Sequence, residues 1–179
     1  MAAYKIITGD VLAELKKLSS DHFDAVLSDY PQARDEYRDD NTYQDAGGAS
    51  RFFYCPKVST AERNAGCDQF EEKLYVQFQT ANGTSGKASS ISEGRNTRYR
   101  NQHPTLKPIA LTEYLARLLL PPKQKGKTRR ILVPFSGAGS EIIGCLKAGW
   151  DEVWGIELSD EYVDIAHARI AHHTKAKKI

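Results

Sequence analysis

Arg130-Ile131-Leu132-Val133-Pro134-Phe135-Ser136-Gly137-Ala138-Gly139-Ser140 runs from a short apolar segment into a glycine turn, and its reading decides the fold. Arg130–Val133 is a strand by its unbroken apolar character. Ser140–Ala148 carries Ile142, Ile143 and Leu146 at helical spacing, and Gly149 stops it. Glu152–Ile156 is the next strand. Ser159 then caps a helix that has Asp160 and Glu161 in its first turn and Tyr162, Ile165, Ala166 and Ile170 on its apolar face. Glycines let a backbone approach a ligand closely, and the following helix N-terminus adds a positive field. Glu157 falls 18 residues after Gly139. In nucleotide-type sites an acidic residue there accepts hydrogen bonds from ribose hydroxyls. A solvated carboxylate at a strand end is the plainer alternative, and the pairing with the glycine turn favours the ribose role. Ile142 stands where a dinucleotide fingerprint needs Gly or Ala, which argues against a nicotinamide cofactor. Phe135 after Pro134 suggests an aromatic wall against an uncharged, partly apolar ligand.

Outward from this stretch, the chain opens with a second β-α-β pattern. Tyr4–Thr8 is a short strand, Gly9-Asp10 turns into a helix with Leu12, Leu15 and Leu18 on one face, and Asp24–Ser28 reads as a buried strand. Both patterns imply parallel strands joined by right-handed crossovers. Placing the C-terminal pattern before the N-terminal one gives an unbroken β-α-β-α-β-α-β series, so the expectation is a doubly wound α/β sheet whose chain start has been moved by circular permutation. Between the two, Arg51–Cys55 is a further strand, and Pro108–Leu120 is a helix begun by proline and stopped at Pro121-Pro122. Residues 32–50 and 56–107 are expected to be mostly loop, within a single domain over 1–179.

Composition bounds the class. Apolar residues make up 40% of the 179 and charged ones 27%, the balance of a globular chain. No run approaches the roughly 20 apolar residues of a membrane span, and no signal-peptide pattern opens the chain, so a cytoplasmic protein is expected. Cys55, Cys67 and Cys145 are scattered, without zinc spacing, and no metal site is expected. The net charge of +2 does not by itself argue for nucleic acid. Its distribution leaves two readings open. Arg95, Arg98 and Arg100, the run Lys123, Lys125, Lys127, Arg129 and Arg130, and the tail Lys175, Lys177 and Lys178 are either solvated surface or phosphate contacts.

His103-Pro104-Thr105-Leu106-Lys107-Pro108 completes the set of motifs. With it the sequence resembles the permuted (β-type) DNA amino-methyltransferases. These carry H-P-T-x-K-P before a helix, then D-P-F-x-G-x-G-S/T and G-I-E/D, and open with G-D-x-x-x-x-L and D-x-x-x-x-D-P-P-Y. The likeness covers residues 4–31 and about 51–172. It implies a class I S-adenosylmethionine-dependent methyltransferase fold, Rossmann-like, permuted and abbreviated. It also implies S-adenosylmethionine as cofactor, DNA as partner and methylation of an exocyclic amine, adenine N6 being favoured by Asp29. By the same resemblance Asp10 holds the adenine amine of the cofactor, and Phe135, Gly137, Gly139 and Ser140 line its methionine and sulfonium. Glu157 binds the ribose, and Thr105 and Lys107 meet the methionine end.

The chain departs from the pattern in three places. Val133 stands where the family usually has Asp. The catalytic segment reads Ser28-Asp29-Tyr30-Pro31-Gln32 in place of Asp-Pro-Pro-Tyr, so Asp29, Tyr30 and Pro31 are the catalytic candidates and the aromatic ring sits closer to the carboxylate. Only residues 32–50 remain for a region that in the family is much longer. A cofactor-binding remnant without turnover, or a methyltransferase for an RNA or protein amine, are the alternatives. A shortened sheet would also leave an edge strand through which copies could pair.

Overall fold

Both β-α-β patterns are present in the computed structural model, which describes residues 2–19, 21–27, 58–74, 98–175 and 177–178. The elements begin with β1 (Ala3–Thr8), α1 (Val11–Leu15) and β2 (Ala25–Val26), followed by α2 (Thr60–Asn64), β3 (Lys73–Leu74) and β4 (Arg98–Tyr99). Then come α3 (Ile109–Leu119), β5 (Arg130–Val133), α4 (Ser140–Ala148), β6 (Glu152–Glu157), α5 (Asp160–His173) and β7 (Lys177–Lys178). Five strands pair in the order β2-β5-β6-β1-β7, all parallel, and β3 and β4 form a separate antiparallel ribbon. Counted along the series β5, β6, β1, β2, the sheet order is 3-2-1-4, the doubly wound Rossmann arrangement. The series reverses direction between β5 and β2, and ligands of such sheets bind beside that point at the carboxyl ends of the strands.

A parallel sheet is covered on both faces, so its strands are apolar on both sides. Ile131, Val133, Val153 and Tyr4 point to one face. There they pack with Ile109 and Ala116 of α3, Ile142, Ile143, Cys145 and Leu146 of α4, Trp150 and Ile170 of α5. Leu132 and Ile156 point to the other face, against Val11 of α1 with Ile7, Phe23 and Trp154 around them. The buried Trp150 indole donates to the Ala116 carbonyl at 3.0 Å and ties α3 to this core.

Two expectations are corrected. Helix α1 docks through Val11, while Leu12 is 70% exposed and Leu15 also faces outward; in five residues one apolar anchor suffices, and the spacing of the leucines misled. Strand β2 is one of the two outer strands among the described residues, with Ala25 and Leu27 packed on the core and Val26 turned away, 54% exposed. Within 56–107, expected to be mostly loop, nine described residues form α2, β3 and β4, and the other described residues there lie outside helix and strand. The basic tail contributes β7, whose Lys177 N–H donates to the Ala2 carbonyl at 3.0 Å. The strand expected at Arg51–Cys55 lies outside the described residues.

The register also places the charges. Arg130, Glu152, Ala3 and Lys177 align across the amino edge of the sheet. Arg130, at the end of the Lys123–Arg130 run, and Lys177–Lys178 therefore occupy the edge opposite the glycine turn. Arg129 is committed there to Asp151 at 2.8 Å and to the Gly149 carbonyl at 2.7 Å, and Arg130 to Glu152 at 3.1 Å. For these two arginines the structural reading prevails over phosphate contact.

Candidate ligand site at the carboxyl edge of the sheet

Three chain segments meet at the carboxyl ends of β5, β6 and β1. The turn after β5 closes on itself, with the Gly139 N–H donating to the Ser136 carbonyl at 2.8 Å. Glu157, the last residue of β6, accepts from the Gly137 N–H at 2.8 Å through Oε2 and from the Ser159 N–H at 3.0 Å through Oε1. The Glu157 carbonyl accepts from the Gly9 N–H at 2.8 Å, which brings the end of β1 beside it. Two backbone amides thus fix the plane of this carboxylate, and each oxygen keeps a second lone pair for a ligand hydroxyl.

The glycines are required for a reason other than the one their sequence suggests. Gly137 has φ +48°, and a Cβ there would lie 2.5 Å from His103 Nε2. Gly139 has φ +79°, and its Cβ would lie 3.0 Å from the Ala166 methyl on α5. Their missing side chains make room for protein, and the ligand gains indirectly from the turn this allows.

The His103–Pro108 loop forms the facing wall. His103 Nδ1 accepts from the Thr105 N–H at 3.3 Å, its ring meets Tyr162 edge-on at 4.6 Å, and burial pushes its pKa below the usual histidine range. An accepting Nδ1 and a lowered pKa together describe a neutral imidazole with its proton on Nε2. Together the segments enclose a cavity of about 360 Å³ lined by His103, Thr105, Phe135, Gly137, Ser140 and Glu157, with Leu106, Ser136, Ala138 and Glu141 completing the wall. Phe135 is 55% exposed at its mouth, and Leu158, next to Glu157, is 71% exposed.

Of the residues singled out from the sequence, Thr105, Phe135, Gly137, Ser140 and Glu157 meet around this cavity. Asp10, Lys107 and Gly139 stand off its wall. Asp10 caps α1 by accepting from the Ala13 N–H at 2.9 Å, and it directly follows the strand end that bonds Glu157. Asp29, Tyr30, Pro31 and Arg95 lie outside the described residues. Arg98 is exposed, and Arg100 is drawn to Asp68 at 3.3 Å and Glu72 at 3.5 Å, so its charge is already met by two carboxylates.

Sequence reasoning missed the device that holds the His103 loop. Three consecutive residues of α2 do this. Glu62 accepts from the Ile109 N–H at 2.7 Å, supplying the cap that Pro108 cannot give α3. The Arg63 guanidinium donates to the His103 carbonyl at 2.7 Å and to the Asn101 carbonyl at 3.3 Å. Asn64 Oδ1 accepts from the Arg100 and Asn101 N–H groups. The fully buried Asn101 closes the network by donating to the Arg63 carbonyl and accepting from the His103 N–H, both at 3.1 Å. One signal was readable: Ser59-Thr60-Ala61-Glu62 is a capping-box sequence, and Ser59 Oγ accepts from the Glu62 N–H at 3.1 Å.

Strand order 3-2-1-4, a glycine turn after the first strand and an acidic residue ending the second are the plan of a Rossmann-like nucleotide-binding sheet, and the described residues have it. No family model matches the sequence, and no curated protein matches it. Among solved structures, 13 chains match. A presumed DNA modification methylase from Thermus thermophilus, in a complex with S-adenosyl-L-methionine, is 25% identical over 41% of this chain, with a TM-score of 0.32. The chain covers only 29% of that methylase's length. M1.HpyAVI in its SAM complex aligns with 93% of this chain and 99% of its own, at 16% identity and a TM-score of 0.44. Among the described residues no cluster of metal ligands occurs, and no helix is long and apolar enough to cross a membrane.

Proposed function

We propose that this chain binds S-adenosylmethionine in the cavity at the carboxyl edge and transfers its methyl group to an exocyclic amine of DNA, adenine N6 by preference. The observation that carries the reading is the convergence of the glycine turn, Glu157 and the His103–Pro108 loop on one cavity. Three segments spread over residues 103–157, each matching a motif of the permuted amino-methyltransferases, border the same space. A cation with a nucleoside at one end and an amino acid at the other suits the lining: Glu157 and Glu141 are acidic, and Phe135 is an exposed ring.

Each residue then has a task. Glu157, its plane fixed by Gly137 and Ser159, accepts from the two ribose hydroxyls. Asp10 accepts from the adenine amine, and Leu158 and Phe135 give apolar cover to the nucleoside and thioether parts. Thr105, Ser140 and the N–H groups at the start of α4 meet the methionine end, with Lys107 behind the loop. When bound, S-adenosylmethionine supplies a methyl carbon made electrophilic by its sulfonium. On the acceptor side, an exocyclic amine is a poor nucleophile because its lone pair is delocalised into the ring. Asp29 accepts from its N–H and localises that pair, while Tyr30 and Pro31 border a base turned out of the duplex. Transfer is then a matter of alignment. β2 runs parallel beside β5, and the chain leaves it at Leu27, whose N–H donates to the Leu132 carbonyl, two residues before Asp29.

The test is incubation with methyl-labelled cofactor and unmethylated DNA, with single-stranded RNA and casein as competing acceptors. Label on DNA adenine that disappears in Asp29→Ala supports the reading. Label on RNA or protein instead would reassign the substrate. A second reading, cofactor binding without turnover, is favoured by Ser28-Asp29-Tyr30-Pro31-Gln32; it predicts tight binding with no label on any acceptor.

A further inference from the structure

One buried charge has no place in the roles above. Arg169, on the inner side of α5, is fully buried directly behind the glycine turn. Its Nη1 donates to the Ala138 carbonyl at 2.5 Å and to Ser140 Oγ at 3.1 Å. Nε and Nη2 are buried and have no hydrogen-bond partner among the described residues, and no described carboxylate pairs with the guanidinium. A buried charge without a counterion is costly, and an apolar side chain of similar volume would be cheaper. Burial accordingly lowers its pKa, with Cys67, Glu62 and Glu141 opposing that shift from a distance.

The geometry in front of Arg169 shows what could offset that cost. Ala138 and Ser140 both line the cavity. Arginine can only donate, so Ser140 Oγ must accept from it, and the hydroxyl proton is left to be donated elsewhere. Ser140 also begins the nine-residue helix α4, whose first amides have no partner within the helix. A hydroxyl forced to donate, the N-terminal amides and a positive charge behind them all favour an anion at one point.

We propose that Arg169 is the buried countercharge for the carboxylate of the ligand's amino-acid tail and acts on it through Ser140. Arg169 is thus a positioning and specificity residue: it sets the preference for a nucleoside thioether that carries an amino acid over one that does not. This rests on the S-adenosylmethionine reading of the same cavity. Thr112 Oγ1 shares its one proton between the Ile109 carbonyl at 3.0 Å and the Ser140 carbonyl at 3.1 Å, so α3 also touches the first residue of α4.

Calorimetric titration with two probes tests it: S-adenosylhomocysteine, and 5′-methylthioadenosine, which has the same nucleoside thioether without the amino acid. Arg169→Met is expected to weaken S-adenosylhomocysteine about 10- to 100-fold, the worth of a hydrogen bond to a charged group. Methylthioadenosine should change less than about 2-fold, because it reaches nothing that Arg169 orders. Arg169→Lys should retain part of the preference. Equal weakening of both probes would show mere support of the fold and overturn the proposal, as would no change in either. Should Arg169→Met not fold, Ser140→Ala decides, since it keeps the guanidinium and removes the donor: selective loss of S-adenosylhomocysteine supports the proposal, and an unchanged ratio overturns it. Wild-type protein that binds neither probe overturns the ligand reading and this inference with it. Wild-type binding with an unchanged ratio in the variants overturns this inference alone.

Discussion

Gly137→Ala puts a methyl group where the structure has no room for one. The new Cβ would sit 2.5 Å from His103 Nε2 and 2.9 Å from Cε1, on a backbone with φ +48°. The left-handed conformation alone costs an L-residue about 1–2 kcal/mol. Overpacking against a ring that is itself held by Thr105 and Tyr162 adds about 1–3 kcal/mol. The sum, about 2–5 kcal/mol, would lower a urea midpoint by about 1–2.5 M for a slope of roughly 2 kcal/mol/M. The two terms separate in a double-mutant cycle. Pairing Gly137→Ala with His103→Ala removes the clash and leaves only the backbone strain, so the pair should be less destabilised than the sum of the singles by about 1–3 kcal/mol. Urea unfolding followed by far-ultraviolet circular dichroism gives all four stabilities. A Gly137→Ala protein within about 0.5 kcal/mol of wild type, or a cycle with no coupling, would refute the packing reason given for this glycine.

Three further outcomes follow from the contacts. Glu62→Ala leaves the Ile109 N–H without its acceptor and should cost about 1–2 kcal/mol, with faster amide exchange at Ile109 than in wild type; unchanged exchange would deny Glu62 its capping role. Arg129 holds the Asp151 carboxyl down at about 2, chiefly through their hydrogen bond. Its folded pKa is thus below the unfolded one, so the stabilisation is present above pH 4 and is lost as pH falls towards 2. Asp151→Asn should flatten that part of the acid-unfolding curve, by no more than about 1 kcal/mol after screening, and an unaltered curve would show the pair to be inert. Burial pushes the Cys145 thiol up to about 12, above its unfolded value, so its contribution is complete below pH 9 and is lost as pH rises towards 12; iodoacetamide at pH 8 should spare it in the folded protein and label it in urea, and rapid labelling of the native chain would contradict the packing.

The parts of the fold that could be read from the sequence are those whose apolar residues and caps agree. β5, α4, β6 and α5 have uninterrupted apolar spacing. Gly149 ends α4 in the left-handed conformation, and Ser159 caps α5 by accepting from the Tyr162 N–H. Where a helix is short or polar, the same signals fail. Leu12 and Leu15 have the spacing of an inner face, yet the five-residue α1 is anchored by Val11. Helix α2 has no buried residue at all. Its work is done by Glu62, Arg63 and Asn64 through bonds to backbone some 36 to 47 residues away, which no local pattern encodes.

The site divides in the same way. Glu157 and the turn announced themselves by spacing, and the His103 loop by its resemblance to a family motif. Arg169 did not, because an arginine in an otherwise apolar helix stripe reads as a solvated position, and only the fold shows that it faces the turn. The basic clusters mislead in the opposite sense. The Lys123–Arg130 run is conspicuous in sequence, but the parallel register puts its last residue, Arg130, at the amino edge of the sheet, away from the cavity.

The central claim is that the glycine turn, Glu157 and the His103 loop make one nucleoside-binding site. Calorimetric titration of S-adenosylhomocysteine into wild type and Glu157→Ala measures it most directly. One site per chain is expected in wild type, weakened at least about 10-fold in Glu157→Ala through loss of the carboxylate's hydrogen bonds to the ribose. Equal affinity in the two proteins, with the variant folded, would contradict it.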